Sequence, residues 1–236
     1  MKIPENVFSK LWSRVIWQID IPLKWTDRES IHVDLGSGIT PRNPFQAKKL
    51  IATDFHAMYI GKDGTLFVKS DLTKKLPFKN DSISSFSAYD VLEHIPRWER
   101  VNGKIEFPFI NLMNEIYRCL KPGGYFLAVT PYFPRQEAFQ DPTHINMITK
   151  STIRYFANPE PWAKLLGYNL KNGFDAIVNV PLRGSGPVSQ ESQLQMSQNS
   201  SYSARTLIYL RLFKRFIKLF RVRKPSHLLW VLKKSA

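Results

Sequence analysis

Apolar residues in this chain fall into short runs cut by glycine, proline and acidic residues. Ile31 to Leu35 and Leu50 to Thr53 are two such runs, with the length and β-branched content of buried strands. The first opens onto Gly36-Ser37-Gly38 and the second ends in Asp54-Phe55. Strand, glycine turn, helix, strand, acidic residue is the opening unit of a nucleotide-binding α/β sheet. A short strand then leads into Ser70-Asp71-Leu72, and a buried one, Ile83 to Tyr89, runs into Asp90-Val91-Leu92-Glu93-His94. Phe109 to Leu120 has helical periodicity, with Leu112, Ile116 and Leu120 on one face. Lys121-Pro122-Gly123-Gly124 stops that helix, and Tyr125 to Thr130 is the next strand.

The glycine turn lets the backbone approach a ligand without a Cβ in the way. It reads G-S-G-I-T-P, without the third glycine that admits a pyrophosphate beside a helix. That points to an adenosine ligand lacking a diphosphate. Asp54 stands where a carboxylate takes both ribose hydroxyls, and Asp71 where one takes the adenine amino group. Arg42 and Asn43, past the turn, either cap the first helix or touch the far end of the ligand.

VDLGSG, ATDF, KSDL, SAYDVLEHI and LKPGGYFLAVTP follow one another over roughly residues 30 to 135. In this order and spacing the chain resembles the class I S-adenosylmethionine-dependent methyltransferases. Through TPRNPF, EIYRCLKPGG and AFQDPTHINMIT it resembles members found with bacterial surface-polysaccharide biosynthesis genes. The resemblance implies a Rossmann-like, seven-stranded, mostly parallel sheet with helices on both faces. Its sixth and seventh strands would be Ala176 to Val180 and His227 to Leu232. It also implies S-adenosyl-L-methionine as cofactor, held by Asp34, Gly36, Gly38, Asp54, Phe55, Asp71, Leu72 and Tyr89.

The length, 236 residues, suits one domain. We expect an N-terminal helix or cap over 1–28 and a core over 29–183. A mobile loop and a basic helix follow over 184–224, then a final strand over 225–236. The only cysteine, Cys119, reads as a small core residue. No apolar stretch approaches the roughly 20 residues of a spanning helix. The N-terminal residues, broken by Pro4, Glu5 and Ser9, do not read as a secretion signal.

The net charge of +15 is unevenly spread, with no acidic residue after Glu191. Gly184 to Ser203 is rich in Ser and Gln. Ala204 to Val222 reads as a helix inserted before the last strand. Arg211, Lys214, Arg215, Lys218 and Arg221 share one of its faces, and Leu210, Phe213, Phe216, Ile217 and Phe220 the other. A solvated flank, an anionic membrane surface and a nucleic-acid backbone are all compatible partners.

Methyl transfer to a hydroxyl needs alignment and a way to weaken the acceptor's proton. Two clusters offer this at strand ends that should meet: Asp90, Glu93 and His94, and Asp141 to His144. In one reading His144 or His94 is a general base, with Asp90 beside it. In another, Asp90, Glu93, His94 and His144 hold a divalent metal, which these ligands suit as Zn²⁺, Mn²⁺ or Fe²⁺ better than Mg²⁺. That set resembles the metal ligands of small-RNA 2′-O-methyltransferases and ubiquinone-pathway O-methyltransferases, with Asp90 where those carry Glu. In a third the cluster only caps and packs. Tyr132 and Arg135 lie where an acceptor would enter, His56 near the adenine. His32 reads as a satisfied core or edge histidine, and Trp98 and Trp162 as core residues ahead of sugar-stacking platforms. The expectation is an O-methyltransferase for a glycan or lipid-linked glycan intermediate, cytoplasmic and peripheral at the inner membrane face. An RNA ribose O-methyltransferase and a non-catalytic scaffold are the alternatives.

Overall fold

The structure, a computed structural model, describes residues 29–56, 64–182 and 225–235. Its strands are β1 (Ile31–Leu35), β2 (Lys49–Asp54), β3 (Leu66–Lys69), β4 (Ile83–Tyr89), β5 (Glu99–Val101), β6 (Lys104–Glu106), β7 (Leu120–Pro131), β8 (Asp175–Leu182) and β9 (His227–Lys233). Seven form one sheet in the order β3-β2-β1-β4-β7-β9-β8, and β5 and β6 make a separate hairpin. All pairs from β3 to β7 are parallel, while β9 runs antiparallel to both β7 and β8. The expected seven-stranded, mostly parallel, Rossmann-like sheet is therefore present. The strand order reverses between β1 and β4, and open α/β sheets bind ligands at the carboxyl ends of strands flanking such a point.

Alternation along each strand builds two apolar faces. Val33, Leu35, Phe86, Ala88, Phe126 and Trp230 meet helix α1 (Pro108–Cys119) on one of them. Pro108 opens this helix where its missing N–H costs nothing. Phe109, Leu112, Met113, Ile116 and Cys119 are its buried side, the i, i+3, i+4, i+7 stripe of a helix on a sheet. The helix stops at Cys119, and Leu120 is already extended and paired with Ile83. Cys119 is fully buried, as expected of a core residue.

The helix expected between β1 and β2 is absent. Residues 36–48 run as turns and irregular chain. The reason lies in Thr40-Pro41 and Asn43-Pro44: each proline disfavours the helical region for the residue before it and removes a donor. The segment is tied down by other means. The Asn43 side chain donates to Ala47 O and accepts from Ala47 N–H, at 2.8 and 2.9 Å. Phe45 is fully buried on the second face of the sheet, its ring 6.0 Å from that of Tyr125 and 5.7 Å from His32. A side chain thus covers sheet surface that a helix covers elsewhere. Among the described residues α1 is the one long helix; α2 (Trp162–Leu165) is a single turn.

The proposed N-terminal helix, the Ser-rich loop and the basic helix lie outside the described residues. Among the described residues no helix is long and apolar enough to cross a membrane.

Phe45→Ala should lower the unfolding free energy by about 3–5 kcal/mol, the usual cost of truncating a buried Phe. Urea unfolding measures it, and a loss under about 1 kcal/mol would mean the 36–48 segment is anchored otherwise.

Candidate active site

A cavity of about 330 Å³ opens at the carboxyl edge of the sheet. Gly36, Asp54, Phe55, Asp71 and Leu72 line one side, and Asp90 and His94 the other. Residues chosen from separate motifs thus meet in one place. Gly36 has φ +60°, and a Cβ on it would lie 2.5 Å from Val91 Cγ2, so only glycine lets the turn after β1 pass the end of β4. Gly38 also has positive φ, +55°, and its N–H donates to Asp54 Oδ2 at 3.0 Å. The other oxygen of Asp54 accepts from His56 N–H at 3.0 Å. An ionised carboxylate has about four lone-pair sites, so Asp54 shapes the glycine turn and keeps acceptor capacity for a diol. Asp71 Oδ1 is engaged by the N–H and hydroxyl of Thr73, at 2.9 and 2.7 Å. This residue-by-residue fit suits an adenosine. The Gly36 turn supplies a cradle a Cβ would fill, and two carboxylates face the cavity.

Asp34 and Tyr89 sit behind this wall. Asp34 is buried at the end of β1, where it accepts from Arg42 N–H at 2.8 Å and from the Ser87 hydroxyl. Burial pushes its carboxyl up to about 6, against those two hydrogen bonds. Tyr89 lies under the Arg42 guanidinium, 4.2 Å from Cζ to ring centroid. Burial raises its phenol well above the ordinary value.

Beyond Asp90 and His94 the 141–149 loop is laced to the turn after β4. Ile145 and Asn146 N–H both donate to Glu93 O, and Asn146 Nδ2 donates to Leu92 O, at 3.0, 2.8 and 2.9 Å. This lacing seats His144 beside Glu93 and His94. One ligand atom from each of the three lies within 4.8 Å of the others. The His144 Nδ1 edge faces Ala138 O at 3.3 Å, which directs Nε2 inward, 3.9 Å from Glu93 Oε1 and 4.0 Å from Asp141 Oδ2. Thr130 donates to Glu93 Oε2 at 3.0 Å, while Glu93 Oε1 is buried without a hydrogen-bond partner among the described residues. Burial pushes the Glu93 carboxyl up to about 8. His94 is held below its ordinary value, first by burial and then by His144.

Asp90 does not join this trio. Its backbone is left-handed, φ +55°, an uncommon state for a non-glycine residue that concentrates at functional sites. Its Oδ1 lies 3.2 Å from His227 Nε2 at the start of β9. Nothing in the sequence spacing links residues 90 and 227; only the antiparallel entry of β9 brings them together. Thr130 and Asn146, which hold Glu93 and the loop, were equally invisible in the motifs. Arg42 and Asn43 have no helix to cap. Trp98 is 64 % exposed and Trp162 lies at the surface under Arg154, so neither belongs to the core. His32 does, with both ring nitrogens hydrogen-bonded. Arg135 Cζ sits 6.0 Å from the buried Tyr132 ring.

Asp54→Ala should weaken S-adenosylhomocysteine binding at least about tenfold, since a charged hydrogen bond is worth about 1.5–3 kcal/mol. Calorimetry giving equal affinities would remove Asp54 from the ribose site.

A family model described as a methyltransferase domain matches residues 33–128. A botryococcene C-methyltransferase of Botryococcus braunii is 25% identical over 114 residues, covering 45% of this chain and 27% of that protein. The match therefore spans about a quarter of that relative's length. Among solved structures, a chain in the complex of the Haloferax volcanii Trm112 methyltransferase activator with a methyltransferase superposes with TM-score 0.53 and 16% identity, over 98% of this chain and 95% of that one. A SAM-dependent methyltransferase from Archaeoglobus fulgidus gives 0.52 and 17%, over 98% and 94%. Haemonchus contortus phosphoethanolamine N-methyltransferase 2, in complex with S-adenosyl-L-methionine, gives 0.52 and 14%, over 98% and 53%. At these identities the structural matches establish the fold. The domain match makes residues 33–128 similar to a methyltransferase domain, and the glycine and carboxylate cradle lies within that stretch.

Proposed function

We propose that this protein transfers a methyl group from S-adenosylmethionine to a hydroxyl oxygen of a glycan or lipid-linked glycan, with His144 as general base. The observation that carries the reading is the orientation of His144: Nδ1 against Ala138 O, Nε2 turned toward Glu93, and the ring 4.8 Å from that of His94 on the cavity wall. The cofactor supplies a methyl carbon on a positive sulfur, whose leaving group is a neutral thioether. The chain's own work is positioning and proton handling. Asp54, Asp71 and Gly36 seat the adenosine. His144 Nε2 would receive the proton of the acceptor hydroxyl, freeing that oxygen to take the methyl group the cofactor supplies. Asp141, 4.0 Å from that nitrogen, stabilises the imidazolium that forms. Phe133 and Phe139 support a sugar acceptor. They are 47% and 51% exposed, packed edge to face on the loop that carries His144, and aromatic faces suit the apolar face of a sugar ring. The acid-free sequence after Glu191 supports an anionic membrane surface as the place where such an acceptor is met.

A divalent metal is the second mechanistic reading. Glu93, His94 and His144 would hold it, and it would acidify the acceptor hydroxyl. The buried, unpartnered Glu93 Oε1 in that trio favours it. Asp90, turned toward His227, would not be a ligand. An RNA ribose acceptor is the second substrate reading, favoured by the net charge of +15.

Incubation with glycans, lipid-linked glycans and RNA, read by mass spectrometry, should add a methyl to a glycan hydroxyl. A methyl found only on RNA, lost steeply with salt, would replace the glycan reading. His144→Ala should lower turnover by about 10²–10⁴ with S-adenosylhomocysteine affinity unchanged. A near-normal rate in that variant removes both mechanisms. Chelator stops the wild type if a metal acts and leaves it running if His144 acts alone.

A further inference from the structure

The hairpin of β5 and β6 stands apart from the main sheet. Asn102 and Gly103 at its tip both have positive φ, 49° and 79°, as a two-residue turn matched to strand twist requires. Glu99 pairs with Glu106, Arg100 with Ile105 and Val101 with Lys104. Two strands alone are marginal in water, and the first pair sets two carboxylates opposite each other, which is unfavourable. The hairpin is rooted beside the candidate site. Arg97, just before it, donates from Nε to Asn146 Oδ1 at 2.8 Å and also bonds to Met147 O. Asn146 is the residue that laces the His144 loop to Leu92.

Alternation sorts the hairpin's side chains into two unlike faces. Glu99, Val101, Lys104 and Glu106 share one. Arg100 and Ile105 share the other, and Trp98, two residues before Arg100, falls on the same side. The arrangement is inside out. Glu99 and Val101, the partly covered residues of the two strands, lie on the acidic face. The apolar face looks outward: Trp98 is 64% exposed, Ile105 is 56% exposed, and Arg100 is exposed as well. Across the Arg97 tie, Ile145 beside Asn146 is 54% exposed.

Three kinds of partner can cover such a face. A protein, or a second copy of this chain, needs roughly 20–30 residues a side to dock stably, and this face offers three side chains. A sugar needs hydrogen-bonding groups around its ring. Ile105 gives none, and both carboxylates of the hairpin lie on the other face. A lipid surface needs neither close fit nor large area. Indole favours the head-group level, an aliphatic side chain enters beneath it, and a guanidinium meets anionic head groups. The net charge of +15 draws the chain to the same sign of surface.

We propose that the Trp98, Arg100 and Ile105 face docks on an anionic lipid surface and brings the neighbouring His144 loop to head-group level. This deepens the proposed function by naming the surface on which a lipid-linked acceptor is met. Its test uses no acceptor, so its failure and the failure of that reading are distinguishable.

The full chain is sedimented with vesicles of phosphatidylcholine alone and of phosphatidylcholine with phosphatidylglycerol. The wild type should bind the anionic vesicles. Trp98→Ala combined with Ile105→Ser should lower that binding at least about tenfold, since two large apolar side chains leave the interface. Arg100→Gln should lower it about fivefold, the worth of one cation near such a surface. S-adenosylhomocysteine affinity should be unchanged in both, since none of these residues lines the cavity; that readout also shows that the variants fold. Depth is read with a fluorophore attached through Ile105→Cys, and through Lys104→Cys on the other face as control, while buried Cys119 stays shielded from the label. Brominated lipid should quench the first position more strongly than the second. Equal quenching at both, a wild type that binds neither vesicle, or vesicle binding untouched in the Trp98 and Ile105 variant overturns the assignment. Weaker binding of soluble glycan in that variant, with vesicle binding intact, would make Trp98 a sugar platform instead.

Discussion

The close passage of two chain segments governs this active site. Gly36, turning out of β1, runs so near Val91, just past β4, that a single methyl would collide. Because these strands flank the point where strand order reverses, that contact sets the separation between the two flanks of the cavity. Asp54 and Asp71 approach from one flank, and Asp90, Glu93 and His94 from the other. A larger residue at 36 would strain a left-handed backbone and wedge the two flanks apart. The glycine acts through shape, with no chemistry of its own.

The two flanks are built on opposite electrostatic plans. Toward β2 and β3 the carboxylates are half-exposed and already accept backbone or hydroxyl hydrogens. Toward β7 a carboxylate is almost wholly buried with one oxygen unsatisfied, beside two imidazoles. An unpaired buried acceptor raises free energy unless something is bound to it. The first flank is therefore satisfied by the protein and the second is left for what enters it.

Much of this was legible in the sequence because parallel buried strands announce themselves. They read as continuous apolar runs, and each ends where its functional residue begins. Gly36, Asp54, Asp71, Asp90 and His94 were found that way, and the structure places all five on one cavity. The missing helix after β1 was legible too, in Pro41 and Pro44, but the expected strand-turn-helix pattern overrode them. His227 was not legible. Its partnership with Asp90 depends on β9 entering the sheet antiparallel, and no spacing in the chain encodes that. Thr130, Asn146 and Ser87 were hidden for a similar reason: small polar residues within or beside apolar runs look like dilution of the core until the hydrogen bonds are seen. The exposed Trp98 shows the converse error, since a large aromatic residue carries no mark of which side of the surface it will occupy.

The antiparallel β9 has one more effect. It sends β8 upward to Leu182 and starts itself at His227, and these two residues are register partners. Leu182 and His227 therefore lie together at the rim that carries the carboxyl ends of the parallel strands, where His227 is also the register partner of Pro131 at the end of β7. The wall beside Asp90 is thus set by a strand from the far end of the chain, pinned by a neighbour on each side, so that His227 cannot shift without breaking two ladders at once.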